Sequence, residues 1–293
     1  MFFLRCLLAA LVSHTALALT PVGHTPSGKP IYVAPSGSRV KPVGRNMEVF
    51  APNGSLIHTF VNVIPPTVTK GSHALAPRQT LSLAQATTPL TDPTNILESL
   101  NTSYTVPSAP TNFESQVIYL SANVVASDDN GVPFGMLRAV LQYGATSFWG
   151  GPYWTINTEL EFLPDGGTLS ISDPNFNNTV AVGTAISTSL VHMDEGDDIF
   201  WYAAGFDTAP EAPRLEVGWS TPVSVAVGLE EEGVTQRSSY PAESFTFSQT
   251  SLTLTNGAPK ISWDLSSDPS TGAYITADVD GSENAELSVH FGN

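Results

Sequence analysis

The sequence predicts an all-β fold, a two-sheet antiparallel β-sandwich or jelly roll, and three observations support this. Beyond residue 115, runs rich in β-branched and aromatic residues recur about every ten residues. Gly, Pro, Asn and Asp separate these runs, as is typical of turns in sandwich domains. No stretch has the sustained 3.6-residue apolar period of an amphipathic helix. We expect the concave face of one sheet to carry any functional site.

The runs that fit the strand pattern are short, and turn residues bound most of them. Their side chains alternate between apolar and polar or are apolar throughout, as in half-buried and fully buried strands. We predict strands at residues 116–125, 135–143, 153–162, 179–192, 198–206, 215–219, 224–230, 243–255, 260–263 and 286–291.

Residues 1–18 predict a secretory signal peptide. Arg5 supplies an early positive charge, an apolar run follows at residues 6–12, and the small residues Ala16 and Ala18 suit a cleavage site. The apolar run is shorter than the roughly 20 residues that span a bilayer, and no later segment is continuously apolar. We therefore expect a secreted, extracellular protein with no membrane partner. The single cysteine, Cys6, lies in this signal, so we expect no disulfide in the mature chain.

Residues 19–110 predict an N-terminal extension or pro-segment rich in Pro, Ser and Thr. Within it, residues 47–64 contain two β-rich runs around Pro52-Asn53-Gly54, the signature of a small β-hairpin. Residues 65–110 have the composition of a linker, with one short helical turn predicted near residues 95–100. Residues 111–293 then form the predicted β-sandwich domain.

Charge is distributed unevenly along the chain. The formal net charge is −16, but residues 19–110 carry +3 and residues 111–293 carry −20. A basic extension beside an acidic domain indicates an inhibitory pro-segment that is held in place by charge complementarity. An ordinary extension beside an acidic, solubilising surface predicts the same charges, and both interpretations stay open. So acidic a body is a poor partner for nucleic acid, and we expect none.

Three Asn-x-Ser/Thr triplets begin at Asn53, Asn101 and Asn177. A secretory route would bring them to the glycosylation machinery, so we predict a glycoprotein. The triplets themselves leave the occupancy of each site open.

The candidate catalytic side chains are an amide and carboxylates on predicted strands. Gln142 and Glu161 lie near the ends of successive strands, and a third acidic site, Glu230–Glu232, follows an apolar strand. An amide and a carboxylate together can hydrolyse a peptide bond, because the carboxylate activates water and the amide holds the developing oxyanion. Strand alternation directs Glu230 and Glu232 to one face and Glu231 to the other. Glu159 shares a face with Glu161, as on the solvent face of an edge strand.

These segments resemble motifs of the eqolisins, the secreted fungal glutamic peptidases. Ala139-Val-Leu-Gln-Tyr-Gly144 is similar to the family's Ala-Ile-Leu-Gln-Thr-Gly segment. Glu161-Phe-Leu-Pro164 is similar to its Glu-Trp-Tyr-Pro strand end, and Asp194-Glu-Gly-Asp-Asp-Ile199 to its Ser-Glu-Gly-Asp-Ser-Ile turn. The motifs occur in the family's order, and the resemblance covers roughly residues 111–265. The chain therefore resembles the eqolisins or a concanavalin A-like relative of them.

The resemblance implies a concanavalin A-like sandwich and an endopeptidase that acts at acidic pH. It implies that Gln142 is catalytic, because the family's catalytic glutamine has this position. The best match to the family's catalytic glutamate is Val227-Gly-Leu-Glu230, which makes Glu230 the predicted general base. The neighbouring Glu231 and Glu232 remain alternatives for that role.

Three further residues are predicted to support the site or bind substrate. Tyr119 stands where the family has a tryptophan-containing segment that lines its site. Glu161 belongs to the second motif, and Trp154 lies on the same predicted strand.

Two other classes of function stay open. Glu159-Leu-Glu161, with Asp165 beyond, resembles the Glu-x-Asp-x-x-Glu strand of laminarinase-type glycoside hydrolases, although the central aspartate is missing. A non-catalytic carbohydrate- or surface-binding sandwich also fits. Serine and zinc chemistry lack support, because the sequence has no Gly-x-Ser-x-Gly elbow and no paired histidines. We expect a monomer with no cofactor and no metal, acting on a polypeptide, or on a glycan in the alternative.

Overall fold

The structure is a computed structural model that describes residues 18–66, 82–90, 95–128, 133–144, 150–163, 166–193, 199–219 and 223–292. These residues contain one 3-10 turn, Arg237–Ser239, and no α-helix, and none of their helical segments is long and apolar enough to cross a membrane. The strands are β1 Gly23–His24, β2 Pro30–Pro35, β3 Arg39–Val43, β4 Asn46–Phe50, β5 Leu56–Phe60, β6 Ser82–Thr88, β7 Leu97–Thr105, β8 Val117–Ser127, β9 Pro133–Tyr143, β10 Trp154–Phe162, β11 Gly167–Ser172, β12 Thr179–Val180, β13 Ala185–Met193, β14 Phe200–Phe206, β15 Leu215–Trp219, β16 Val223–Glu232, β17 Phe245–Leu254, β18 Asp264–Leu265, β19 Tyr274–Val279 and β20 Ala285–His290.

The strands of the described residues form two ten-stranded sheets, which confirms the predicted all-β sandwich. Sheet A has the order β1-β2-β11-β10-β9-β8-β16-β6-β18, with β12 paired to β10. Sheet B has the order β19-β20-β17-β7-β13-β14-β15-β3-β4-β5. Neighbouring strands are antiparallel except β2 with β11 and β3 with β15. Both parallel pairs involve the N-terminal extension, which therefore adds strands to both sheets.

Sheet A has two different buried faces. Its inner face belongs to the apolar core of the sandwich, through side chains such as Leu120 on β8, Leu141 on β9 and Leu160 on β10. Burying one such leucine contributes roughly 1.5–3 kcal/mol. The next residue along each strand points the other way, and on that outer face polar side chains are buried as well. Polar groups that are buried outside the core need hydrogen-bonding or ionic partners, and another segment of the chain must pack over them.

The predicted N-terminal hairpin is confirmed. Strands β4 and β5 pair in an antiparallel register around the Pro-Asn-Gly segment. Ala51 donates its backbone N–H to Ser55 O at 2.8 Å, and Gly54 has a φ of +81°. Glycine tolerates this left-handed conformation without the steric cost of a Cβ.

The prediction of a linker and a helical turn between residues 65 and 110 is wrong for the part that the structure describes there. Strand β6 lies beside β16 in sheet A, and β7 lies between β13 and β17 in sheet B. The threonine and serine content predicted a linker, but threonine is β-branched and also suits strands. Alternate residues of β7 are buried, namely Leu100, Thr102 and Tyr104. The predicted glycan acceptor Asn101 is half-buried on this strand, whereas Asn53 and Asn177 are exposed.

Several strand limits also differ from the prediction. The run at residues 179–192 is divided into β12 and β13 by a turn in which Gly183 has a φ of +82°. Residues 260–263 form no strand, while β11 and β19 were not predicted. Residues 1–17 of the predicted signal, the turn at 194–198, and residues 164 and 165 lie outside the described residues.

Substitution of Gly144 by alanine should strongly destabilise the fold. Gly144 follows β9 with a φ of +98°, and an added Cβ would lie 1.9 Å from the backbone oxygen of Gln116. Left-handed strain and the steric clash together should lower the free energy of unfolding by about 3 kcal/mol or more, measured by urea denaturation. The matched control is Gly54→Ala, where φ is +81° but no atom lies within 4 Å of the added Cβ. Equal losses in the two variants would contradict the steric argument.

Candidate active site

The predicted catalytic residues lie in one row across the outer face of sheet A. Glu230 on β16 is paired with Tyr119 on β8, Tyr119 with Gln142 on β9, and Gln142 with Thr155 on β10. Paired residues of antiparallel strands point to the same side of the sheet. All four side chains are at most 3% exposed. The backbones of Gln142 and Glu230 are therefore two strand spacings apart, roughly 10 Å, with the Tyr119 position between them.

The outer face of sheet A is concave. Glu161 lies six residues beyond Thr155 along β10 and is therefore well away from the row of Glu230. On a flat sheet the backbones of Glu161 and Glu230 would be roughly 25 Å apart, from the usual strand spacing and rise per residue. Both carboxylates nevertheless approach Nη1 of Arg138, at 3.2 and 2.5 Å. The sheet must curve to bring them together, as twisted sheets do along one diagonal. We call this concave outer face the groove.

Arg138 on β9 is the centre of an ion-pair network in the groove. Its Nε and Nη2 donate to Glu159 Oε2 at 3.0 and 2.8 Å, and its Nη1 donates to Glu230 Oε2. Its Cζ lies 4.6 Å from the centroid of the Tyr119 ring, a cation–π contact. The sequence motifs alone did not predict a role for Arg138. A signal was present, because Arg138 has the same strand parity as Gln142 in an otherwise apolar run.

Glu159 and Glu161 do not lie on the solvent face of an edge strand, so that interpretation is wrong. Strand β10 lies between β9 and β11, and the two residues are 3% and 1% exposed. Glu159 Oε1 accepts hydrogen bonds from Asn157 Nδ2 at 3.0 Å and Ser170 Oγ at 3.3 Å. Glu161 thus lies in the groove, as predicted, but a network of buried partners holds its neighbour there too.

The N-terminal extension reaches into the groove. Thr25–Lys29 is the loop between β1 and β2, closed by hydrogen bonds from Thr25 N to Lys29 O and from Gly28 N to Thr25 O, both 2.9 Å. The Lys29 ammonium contacts Glu161 on β10. Ser27 N donates to Glu232 Oε2 on β16 at 2.7 Å. Because β9 and β8 lie between β10 and β16, this loop, which we call the Lys29 loop, crosses the groove.

Burial and charge shift the pKa values of the groove residues. Burial lowers the pKa of Lys29, but attraction to Glu161, Glu230 and Glu232 outweighs it, so the pKa lies above its ordinary value. Burial, followed by repulsion from Glu161, raises the pKa of Glu230 to about 7, against the attraction of Arg138 and Lys29. With the Lys29 loop in place, Glu230 therefore holds a proton below neutral pH.

Gln142 and Glu230 turn away from each other in this arrangement. Gln142 Nε2 donates to Gly144 O at 3.2 Å, and its Oε1 accepts no hydrogen bond from the described residues. Glu230 is directed the other way along the groove, to Arg138. The structure thus brings Gln142, Glu230, Tyr119 and Glu161 to one concave face, and it describes them in a covered form.

Two other predicted residues, Trp154 and Glu231, lie on the opposite face. Trp154 packs in the core at 5.1 Å from Tyr143, ring centroid to centroid, so its predicted contact with substrate is wrong. The physical reason is the two-residue period of β10, which turns Trp154 inward and Glu161 outward. Glu231 also faces away from the groove, toward Tyr240 and Asp268, which confirms the predicted alternation of the three glutamates.

No protein-family model and no curated protein matches the chain. Similar solved structures include a scytalido-glutamic peptidase with a peptide-based transition-state analogue, 12% identical with a TM-score of 0.44, covering 72% of this chain and 98% of that one. Another is SCP-B, a member of the eqolisin family of peptidases, in complex with the tripeptide Ala-Ile-His, 11% identical with a TM-score of 0.42 and the same coverage. A likeness of this size carries no weight for the chemistry, which depends on the groove residues themselves.

Stability should fall as pH rises from 4 to 7, and Glu231→Gln should reduce that fall. Burial raises the pKa of Glu231 from 4.5 to about 7, with Asp268 adding to the rise and polar contacts with Thr271 and Tyr240 opposing it. A carboxyl with a raised folded pKa contributes stability that is present below its unfolded pKa and is lost as pH rises through its folded pKa. Glutamine stays neutral, so the free energy of unfolding of the variant should fall less between pH 4.5 and pH 7.5. The difference from the wild type should reach up to roughly 3 kcal/mol in urea unfolding. Glu243→Gln, at an exposed position, is the control. Parallel pH profiles for wild type and Glu231→Gln would contradict the assignment.

Proposed function

We propose that this chain is the latent form of a secreted glutamic-type endopeptidase that hydrolyses polypeptides at acidic pH. One observation carries the proposal: Gln142, Tyr119 and Glu230 form a row on a concave, buried face outside the core. Amide and carboxylate groups on such a face have no structural role in the core. In this proposal they act together on a bound peptide once the groove is open.

In the proposed reaction, ionised Glu230 takes a proton from a water molecule, which attacks the peptide carbonyl carbon. Glu230 then returns this proton to the amide nitrogen, the C–N bond breaks, and the amine leaves. The Gln142 amide donates to the oxyanion that forms, and loss of such a donor typically costs about 2.7–4 kcal/mol of transition-state stabilisation. Glutamine does not titrate, so it still donates at acidic pH. Arg138 holds Glu230 and Glu161 in the groove and favours the ionised form of Glu230.

Catalysis in this proposal requires the Lys29 loop to leave the groove. Burial is the largest influence on the pKa of Glu230. Hydration of the opened groove would remove much of this effect of burial, while Arg138 stays in place and stabilises the carboxylate. The pKa of Glu230 would fall, and Glu230 would become a base at acidic pH. The covered form therefore differs from the active form both in access and in protonation.

The extension that acts as the inhibitory segment is shorter in this proposal than the predicted residues 19–110. Strands β6 and β7 lie within the two sheets, and their removal would expose the core. Strands β2 to β5 also bury core side chains, such as Val40, Met47 and Val49, so we assign the inhibitory role to the Lys29 loop within residues 19–66. Removal of residues 1–18 as a signal peptide, glycosylation and a monomeric state are further parts of the proposal.

A non-catalytic polypeptide-binding role is the second candidate. The contacts of Gln142 and Glu230 favour this role. Arg138 forms an ion pair with Glu230, and Gln142 Nε2 donates to Gly144 O. A groove that kept these contacts after opening would bind a peptide without hydrolysing it. The glycoside hydrolase alternative has less support, because Arg138 ion-pairs with both Glu159 and Glu161.

Substitution of either catalytic residue should abolish proteolysis. We expect Gln142→Ala to lower kcat roughly 10²–10³-fold and Glu230→Gln to remove activity, in digestion of a protein substrate from pH 2 to 6. Glu231→Gln is the matched control, because this neighbouring carboxylate faces away from the groove and its loss should leave activity intact. Full activity in Gln142→Ala would show that the site is wrong.

Loss of the Lys29 ammonium should increase activity. Lys29→Met keeps most of the side-chain volume but removes the attraction to Glu161 and Glu230, so the loop should leave the groove more readily. We expect at least about tenfold faster hydrolysis at pH 5, equivalent to a change of roughly 1.4 kcal/mol in the closure equilibrium. Lys41→Met is the control, because Lys41 lies over the Phe50 ring, on β3 and β4 of sheet B. If Lys29→Met has no activity from pH 2 to 6, the enzyme proposal fails and the binding role replaces it.

A further inference from the structure

We propose that the groove contains a subsite for the lysine side chain of a bound polypeptide, formed by Glu161, Glu230 and Glu232, and that the chain's own Lys29 occupies it. The inference rests on the proposal that the groove binds polypeptides, and it specifies which polypeptides it takes. The Lys29 loop is then a substrate-like occupant that shows how a ligand is held.

Two contacts define how the subsite holds its occupant. The Lys29 ammonium meets Glu161, and two residues earlier the backbone N–H of Ser27 donates to Glu232 Oε2 at 2.7 Å. One contact recognises a charged side chain, and the other recognises a main-chain group that every residue except proline provides. Both acceptors are buried, Glu161 at 1% and Glu232 at 8% exposure.

The charges of the groove require a second cation. Glu159, Glu161, Glu230 and Glu232 are four buried acidic side chains, one of which, Glu230, has a pKa raised to about 7. Among the described residues, Arg138 is the one cation from the sheet strands that contacts them. Buried carboxylates without a partner cation are strongly unfavourable. Glu161 Oε2 accepts no hydrogen bond from the described residues, although it lies 3.2 Å from Arg138. An opened groove would therefore attract an ammonium group in place of Lys29.

The Lys29 loop can leave the groove, and a substrate peptide can take its place. Its internal hydrogen bonds, including Lys29 N to Thr25 Oγ1 at 3.2 Å, stay within the loop and survive its departure. Strand β2 remains paired with β11 along five residues, so the loop can leave the groove while the extension stays attached. A lysine of a substrate peptide can then make the same contacts. The ligand is a peptide with a lysine and, two residues before it, any residue except proline.

Direct binding of the loop peptide tests the subsite. The host is the full chain with Ser27→Pro and Lys29→Glu, which removes both contacts of its own loop. The probe is a fluorescent peptide with the sequence of residues 23–31, measured by anisotropy at pH 6. We expect it to bind at least about tenfold more tightly than the same peptide with norleucine for lysine, and than one with proline for serine. Adding Glu161→Gln to the host should remove the preference for lysine.

Equal affinities for the three peptides, or no binding to the host, would overturn the subsite. A measurement on the wild-type chain covers the case of a misfolded host: acylation of lysine amines, followed by mass spectrometry. Lys29 should react at least about tenfold more slowly than Lys41, and Glu161→Gln should accelerate it. Equal reactivity of Lys29 and Lys41 would also overturn the proposal. Neither measurement uses turnover, so a chain that binds the lysine peptide but cleaves nothing would keep the subsite and reject the enzyme.

Discussion

Four carboxylates buried on one face of a sheet need cations close by, and among the described residues the sheet strands supply Arg138. An uncompensated buried charge costs several kcal/mol, so the groove is stable only when each carboxylate is ion-paired, hydrogen-bonded or protonated. All three solutions occur. Arg138 pairs with Glu159, Glu161 and Glu230, Ser27 donates to Glu232, and Glu230 has a pKa of about 7.

This constraint links the N-terminal extension to the groove. Lys29 is the second cation, and it comes from a segment that also adds β2 to sheet A and β3 to sheet B. The two strands attach the extension along the same side of the sandwich, while the loop between β1 and β2 crosses the groove. Strong attachment and a removable loop are thus separate parts of one segment. Such a division would let the groove open without loss of the fold.

The two neighbouring glutamates Glu230 and Glu231 show how one strand serves two environments. Glu230 faces the ion pairs of the groove, whereas Glu231 faces Tyr240 and Asp268 on the other side of β16. Burial is the largest cause of the raised pKa in both. Both protonated forms are favoured below neutrality, so both side chains contribute most to the stability of the fold under acidic conditions.

The sequence by itself determined the all-β class, most strands from β8 to β16, and the strand faces on which Gln142 and Glu230 lie, because a two-residue period is a local property of a strand. It did not determine which faces are buried or by what. Trp154 was expected at the site and lies in the core. Glu159 was expected on a face that could be exposed to solvent, and it is buried in the groove. Periodicity separates the two faces of a strand but says nothing about the neighbours packed on them.

Tertiary structure alone decided the network of the groove. Lys29 meets Glu161 across 132 residues of sequence, and Arg138 meets Glu230 across 92. The first contact depends on the parallel pairing of β2 with β11, and the second on the curvature of sheet A. Strand order and curvature result from the packing of the whole sandwich, so no local pattern of residues encodes them. The charge asymmetry of the chain predicted that the two parts attract, and only the fold decided that Lys29 is the residue that enters the groove.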